Sequence, residues 1–265
     1  MKRLSRKKIW ITGASSGIGE SLAYELSKYQ NQLILSARNE EKLSSIAEKC
    51  RREGSSVTLV PFDLSDLASI QQAARKVLEE VGSVDMLINN GGISQRSLVH
   101  QTEVEIDRKI MEVNYFGNIA LTKAILPEMI QNGGGQIAVT TSIVGKFGFP
   151  LRSAYSASKH ALYGFYKTLQ TEYKMSNVHV TMICPGRVKT NISLHALDGK
   201  GSEHGKMDEG QDQGISAERA SRKIVKALSK KKKEVLVGGR EILMVYIHKY
   251  IPSLFDRIVQ KIQHT

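Results

Sequence analysis

The stretch ITGASSGIGE, Ile11 to Glu20, joins a short apolar run to a longer amphipathic one, and it constrains the fold more than any other feature of the chain. KIWIT (8–12) reads as a buried strand, and residues 17–29 carry helical periodicity. A glycine-rich turn that ends a strand and opens a helix gathers free backbone amides at the positive end of that helix. Such a place suits the phosphates of a dinucleotide. Gly13 permits the tight turn, Gly17 lets the backbone approach a pyrophosphate, and Gly19 lets the helix pack on the sheet. Ile18 lies between the last two, and Ser15 and Ser16 offer hydroxyl donors.

The alternation continues along the chain. QLILSA (32–37), VTLVPF (57–62), VDMLIN (84–89), QIAVTT (136–141), VHVTMIC (178–184) and EVLVG (234–238) read as further buried strands. Helical periodicity fills about 40–53, 66–82, 103–131, 154–175 and 216–229. Strand and helix in repeated alternation predict one α/β domain over residues 1–265. It is a doubly wound, Rossmann-like parallel sheet with helices on both faces, and ligands sit at the carboxyl ends of its strands. Residues 191–214 are polar and glycine-rich and read as a substrate-side lid or plain disorder. Residues 241–263 read as a helical extension that packs on the domain or on another subunit, covers the pocket, or lies on a membrane surface.

The charge of the chain bears on its possible partners. The net charge of +12 is compatible with anionic cofactors, nucleic acid or acidic lipid. The basic runs, at the N-terminal head and Lys230–Lys233, lack interleaved aromatics, so no nucleic-acid partner is expected. Cys50 and Cys184 have no metal-ligand spacing, and two bland thiols suit a cytoplasmic protein with no metal site. The N-terminus lacks the apolar stretch of a signal peptide, and no run approaches the roughly 18 apolar residues of a membrane span.

Three tyrosines are followed four residues later by a lysine: Tyr24/Lys28, Tyr155/Lys159 and Tyr163/Lys167. Each pair shares a helix face. Thirteen residues before Tyr155 stands Ser142, just past the carboxyl end of the fifth strand, whereas Ile11 and Pro150 hold that offset from the other two. Tyr163 is also turned roughly 80° from Tyr155 around their common helix. The pair at 155 is therefore the chemical one, and the others are packing residues with solvated lysines.

Taken in order, TGASSGIG, NNGG (89–92), Ser142, YSASK and CPGRVKTN resemble the short-chain dehydrogenase/reductase family in its compact single-domain branch. The core segments LSARNEEKL and YSASKHALYGF are similar to its hydroxysteroid-dehydrogenase-like members. The resemblance runs from about residue 7 to 190 and loosely to 238. It implies a catalytic set of Asn114, Ser142, Tyr155 and Lys159. In that set Tyr155 is the proton donor in reduction and the base in oxidation, Ser142 orients the carbonyl, Lys159 lowers the pKa of the phenol and holds the nicotinamide ribose, and Asn114 holds a relay water. It also implies cofactor contacts at Asp63 and Leu64, at Asn90 and Gly91, and at Pro185, Gly186, Val188 and Thr190. Gly91 departs from the family's alanine, which predicts a looser backbone there. Asp66 reads as a plain helix cap.

The second strand ends in Ser36, Ala37 and Arg38, with no acid before Glu40, which favours the 2′-phosphate of NADP(H) over NAD(H). The function expected is an NADP(H)-dependent oxidoreductase interconverting a carbonyl and a secondary alcohol, as a homodimer or homotetramer. A non-catalytic NADP-binding sensor and a surface-binding protein that keeps the fold are the alternatives. Phe147, Phe149 and Leu151 suggest an apolar substrate, or simple packing.

Overall fold

The computed structural model describes residues 4–261, so Met1–Arg3 of the basic head and positions 262–263 of the expected extension lie outside the described residues. The first half winds β1 (Lys8–Thr12), α1 (Gly17–Ser27), β2 (Gln32–Ser36), α2 (Glu40–Arg52), β3 (Ser56–Leu59), α3 (Leu67–Glu80) and β4 (Met86–Asn89). After it come α4 (Val104–Met111), α5 (Gly117–Gln131), β5 (Gly135–Thr140), α6 (Ser153–Glu172) and β6 (Val178–Pro185). The chain then forms a two-residue pair, β7 (Val188–Lys189) with β8 (Ile215–Ser216), on either side of the short α7 (Glu209–Asp212). It closes with α8 (Ala217–Ser229), β9 (Glu234–Val237), α9 (Leu243–Tyr250) and α10 (Pro252–Gln260).

Seven strands form one parallel sheet in the order β3-β2-β1-β4-β5-β6-β9. The continuous apolar runs in the sequence follow from burial on both faces. In β1 and β2, Trp10 and Ile34 enter one core with α3, α5 and α6, while Ile9, Ile11, Leu33 and Leu35 enter another with α1, α2 and α8. Trp10 is fully buried and donates its Nε1–H to Ser36 Oγ at 2.8 Å. The strand order reverses between β1 and β4, so the chain leaves their carboxyl ends toward opposite faces of the sheet and a crevice is left there.

The strand expected over 57–62 ends at Leu59. Pro61 follows within two residues and has no N–H for a ladder. The single helix expected over 103–131 is α4 and α5 joined by a π-helical turn, Glu112–Phe116. That turn carries Asn114, and such insertions are frequent at functional sites. No helix among the described residues is long and apolar enough to cross a membrane.

Candidate active site

An open cleft of about 1840 Å3 runs along the carboxyl ends of the strands. Every residue nominated from the sequence lines it except Gly19 and Asn114, which stand behind its wall. At one end lies the start of α1. Ser16, extended at φ −163°, makes no side-chain cap, which leaves amides of the first helical turn without a hydroxyl partner. Gly13 and Gly17 adopt φ of +61° and +56°, where a side chain would be strained. A Cβ at Gly13 would lie 2.7 Å from Gly91 Cα, and one at Gly17 would lie 3.0 Å from Thr190 Cγ2. A Cβ at Gly19 would overlap the Gly13 carbonyl. The turn is thus drawn tightly against the residues that follow β4 and β7, with its amides opening into the cleft.

Thr12 fastens the neighbouring strand end: its hydroxyl accepts from both Asn90 N and Gly91 N at 3.0 Å. Asn118 Nδ2 donates to the Gly91 carbonyl at 3.3 Å. The looser backbone expected at Gly91 is therefore absent, because both of its backbone polar groups are held. A Cβ there would overlap Leu64 Cδ1, so Leu64 occupies the space an alanine methyl would take. At the tip of β2, Arg38 is 73% exposed and stands 4.0 Å from Asp63. An ion pair so exposed and so long binds weakly, which leaves the guanidinium available to another anion. Asp66 caps α3 by accepting from Ala68 N at 2.9 Å.

At the other end of the cleft, Ser142 begins a short 3-10 turn beyond β5. Its hydroxyl donates to the Pro185 carbonyl at 3.3 Å and accepts from Val144 N. Tyr155 and Lys159 project from α6, whose first turn is tied down by Gln95 Oε1 accepting from Ala154 N at 2.9 Å. Lys159 is 3% exposed and donates to the Thr140 carbonyl at 2.8 Å. Burial lowers its ammonium from the usual 10.5 to about 8. Its Nζ is 5.6 Å from the centre of the Tyr155 ring.

Burial raises the pKa of the Tyr155 phenol, while a hydrogen bond with Ser142 and the charges of Arg96 and Arg152 pull it back. The sequence reading gave that lowering to Lys159. Arg96 and Arg152 are further cations on the phenol, beside the Lys159 Nζ 5.6 Å from its ring. Asn114 is fully buried: its Oδ1 accepts from Ile93 N, and its Nδ2 donates to Ile93 O and Ser158 Oγ. Ser158 in turn donates to the Tyr155 carbonyl at 2.8 Å. Asn114 therefore ties the chain after β4 to the helix that carries Tyr155.

The two other tyrosine pairs stay outside this arrangement. Tyr24 donates to Glu20 at 3.0 Å, and Lys28 pairs with Glu25. Tyr163 is a core residue held to the Cys184 thiol, and Lys167 lies 5.6 Å from its ring.

Beyond β6, Val188 is buried against Ile215, and Gln211 donates to the Val188 carbonyl and to Thr190 Oγ1. Glu241 folds over Gly186 and accepts from the Arg187 and Gly239 amides at 2.7 and 2.9 Å. Residues 191–214 are built into the domain by backbone bonds, Leu197 N to Ser94 O and Arg96 N to Leu197 O. The helices α9 and α10 pack on this domain through Val245 and Phe255 against Ile143, Val144 and Phe147. Phe147 is thus a packing residue, 4.8 Å from Phe255 ring to ring, and it also borders the cleft.

Sequence reasoning did not nominate Arg96, Arg152 or Asp208. Arg96 and Arg152 both bind Asp208, at 2.6 and 2.8 Å, beside Tyr155. No spacing rule points to residues so far apart in the chain. Among the described residues no cluster of side chains could hold a metal ion.

A crevice at the switch point of a doubly wound sheet, open to the uncapped helix, defines a dinucleotide-binding protein of the Rossmann class. The uncapped amides, the close-packed glycine turn and the exposed Arg38 fit such a cofactor. The short chain dehydrogenase family profile matches residues 7–200, and the chain belongs to that family of oxidoreductases. It is 40% identical over 264 residues to a Drosophila melanogaster dehydrogenase/reductase SDR family protein 7-like, covering 98% of this chain and 81% of the relative. To mouse dehydrogenase/reductase SDR family member 7B it is 42% identical, covering 94% and 79%.

Among solved structures, a Thermococcus sibiricus alcohol dehydrogenase complexed with 5-hydroxy-NADP superposes with a TM-score of 0.77 at 29% identity, over 89% of this chain and 97% of its own. A Burkholderia phymatum short chain dehydrogenase/reductase in complex with NAD superposes at 0.83 over 96% of both chains. Its 23% identity shows the fold alone.

Proposed function

We propose that the protein is an NADP(H)-dependent oxidoreductase that interconverts a carbonyl and a secondary alcohol on an apolar substrate. The observation that carries this reading is the meeting of Ser142, Tyr155 and Lys159 at the ends of β5 and α6, in the cleft onto which the uncapped end of α1 opens. The bound dinucleotide supplies hydride chemistry. The chain's own residues handle the oxygen. Tyr155, kept protonated by burial, gives its proton to the substrate oxygen in reduction and takes it back in oxidation. Ser142 donates to the same oxygen and fixes its direction. Lys159, with one hydrogen on Thr140, turns its others toward the cleft to hold the nicotinamide ribose. Asn114 keeps Tyr155 in place through Ser158 and offers the second lone pair of its Oδ1 to a water.

The preference for NADP(H) is supported by Arg38 at the tip of β2, whose long pair with Asp63 a 2′-phosphate displaces at little cost. The apolar substrate is supported by the wall beside Tyr155, where Ile143, Val144, Phe149, Leu243, Met244 and Ile247 line the cleft. Residues 191–214 act as the lid of that side. Subunits pair through α4, α5 and α6, a reading supported by the exposed Val104 and Phe116. The exposed Tyr246 and Tyr250 of α9, Leu254 of α10 and Ile251 between the two helices favour a second reading for that surface, peripheral contact with lipid. A cytoplasmic location is part of the proposal, supported by two buried and unpaired thiols.

The test is a panel of apolar ketones, aldehydes and secondary alcohols, with NADPH or NADP+ in parallel with NADH or NAD+. Turnover on at least one apolar member, faster with the phosphorylated cofactor, is expected. No turnover on any member with either cofactor overturns the reading.

A further inference from the structure

Three charged side chains beside Tyr155 belong to no motif of the sequence. Arg96, in the chain after β4, has a side chain only 5% exposed. It grips Asp208 with two nitrogens, Nε to Oδ1 at 3.0 Å and Nη2 to Oδ2 at 2.6 Å, and spends Nη1 on Ser94 Oγ and the Gln95 carbonyl. Arg152, at the start of α6, donates Nη2 to the same Asp208 Oδ2 at 2.8 Å and lies over the Phe149 ring at 5.1 Å. Two guanidinium groups thus share one carboxylate, and a net positive charge is left at the edge of the cleft. Burying ions in this way is costly in free energy, and apolar side chains at such positions often serve stability as well or better.

The carboxylate comes from the 191–214 segment, 112 residues along the chain from Arg96. Its own amide donates to Ser193 Oγ at 3.3 Å, so the ion pairs also hold the turn of that segment. We propose that Arg96, Arg152 and Asp208 form a positioning cluster, in which the arginines set the electrostatic potential at the Tyr155 hydroxyl and Asp208 links that potential to the closed position of residues 191–214. The inference rests on the reading of Tyr155 as the proton donor.

The surroundings of Tyr155 show where the cluster acts. From α6 it faces Arg152 and Lys159, from the chain after β4 Arg96, and from the end of β5 the Ser142 hydroxyl, while Asp208 of the 191–214 segment binds the two arginines. From α9 and α10 the residues of its packing cluster are apolar: Met244, Val245, Ile247, Phe255 and Val259. His248 of α9 stacks on Phe147 and Phe255. Lys159, bonded to Thr140 and 5.6 Å from the ring, adds its charge to that of the two arginines, and it is the arginine part that Asp208 modulates. Burial and the neighbouring Arg96 lower Arg152 from the ordinary guanidinium value to about 10, and Asp208 counters them. Burial alone would push Asp208 up, yet its bonds and charge contacts with Arg96 and Arg152 hold it below its ordinary range. Opening the segment withdraws the carboxylate and strengthens the positive field at the phenol, which favours the phenolate. Closing restores the protonated acid that reduction needs.

The experiment is an alkaline titration of Tyr155, followed by the NMR shift of isotope-labelled tyrosine ring carbons and assigned by difference from Tyr155→Phe. It is run on the full chain for wild type, Asp208→Asn, Asp208→Glu and Arg152→Gln, with hydrogen exchange of residues 191–214 measured alongside. Asp208→Asn is expected to lower the midpoint by about one pH unit and to speed exchange in the segment. Arg152→Gln is expected to raise the midpoint, and Asp208→Glu to leave it near the wild-type value. Should Asp208→Asn fail to fold, Arg152→Gln and Asp208→Glu decide the matter.

Midpoints that coincide for wild type, Asp208→Asn and Arg152→Gln overturn the proposal. So does a shift in Asp208→Asn with exchange unchanged. The titration needs no substrate. If Tyr155→Phe turned over a carbonyl as wild type does, the proposed reaction would fail even while the midpoint shifts were observed.

Discussion

The two ends of the cleft are built in different ways. The cofactor end is made of short-range structure: a turn of glycines between β1 and α1, the tip of β2, and the ends of β3 and β4. Its residues are close in sequence to the strand that positions them, and their demands are those of the backbone itself. The substrate end is made of long-range contacts. Asp208 reaches Arg96 and Arg152 across 112 and 56 residues, and Phe255 packs on Phe147 from the far end of the chain. What differs is how far apart in the chain the interacting residues lie. The cofactor end is legible because a positive φ or a close backbone approach demands glycine locally, whereas an ion pair between distant loops leaves no spacing to read.

If this contrast is correct, the substrate end can be loosened while the cofactor end stands. Phe255→Ala removes the ring that joins α10 to Phe147 and is expected to cost about 3–5 kcal/mol of stability in that region. Hydrogen exchange should speed in α9 and α10, with NADPH affinity within about twofold of wild type. A collapse of NADPH binding would show that the two ends are not separable.

Lys159 sits where the ends meet. Its folded pKa, about 8, is depressed from 10.5, so at neutral pH the folded protein holds a buried charge that the unfolded chain carries in water. Between pH 8 and 10.5 the unfolded state binds the extra proton, and stability gains from this site as pH rises through that window. Lys159→Met should therefore be the more stable protein at pH 7 by up to about 3 kcal/mol, a gain that shrinks toward pH 10.5. Denaturant melts at several pH values check the sign. A lead that grows with pH would contradict the buried charge.

Smaller effects sharpen the cofactor end. Arg38→Glu should weaken NADPH binding by about 10- to 100-fold, the usual worth of a charged hydrogen bond, and leave NADH within about twofold. Equal affinities unchanged by the substitution would mean that the tip of β2 does not read a 2′-phosphate. The smallest effect is expected one turn further on. Asp66→Ala should cost α3 about 1 kcal/mol in thermal unfolding and leave cofactor affinity alone, since Asp66 caps the helix while Asp63 faces the cleft.

Particular residues show where the sequence was sufficient. The strands, their alternation with helices and the parallel sheet followed from apolar runs bounded by turns, and Ser142 singled out one tyrosine among three because strand ends are predictable. The ladder at Pro61 and the π turn at Asn114 were less visible, since each depends on how one residue meets its neighbours in the folded state. The two-residue strands β7 and β8 are too short to carry a period. Residues 191–214 looked loose by composition, yet Ala196 and Ser193 are fully buried and Leu197 is bridged to the chain after β4. At Gly91 the sequence suggested slack, but Thr12 and Asn118 hold its backbone.

The central claim is that one of three tyrosine–lysine pairs does chemistry. Its most direct test is the turnover number for one carbonyl substrate with NADPH, compared across wild type, Tyr155→Phe and Tyr24→Phe. A fall of roughly 100- to 10,000-fold is expected in Tyr155→Phe, the usual contribution of a proton-transferring group, with NADPH binding kept. Tyr24→Phe should match wild type. Equal turnover in Tyr155→Phe and wild type would remove Tyr155 from the reaction.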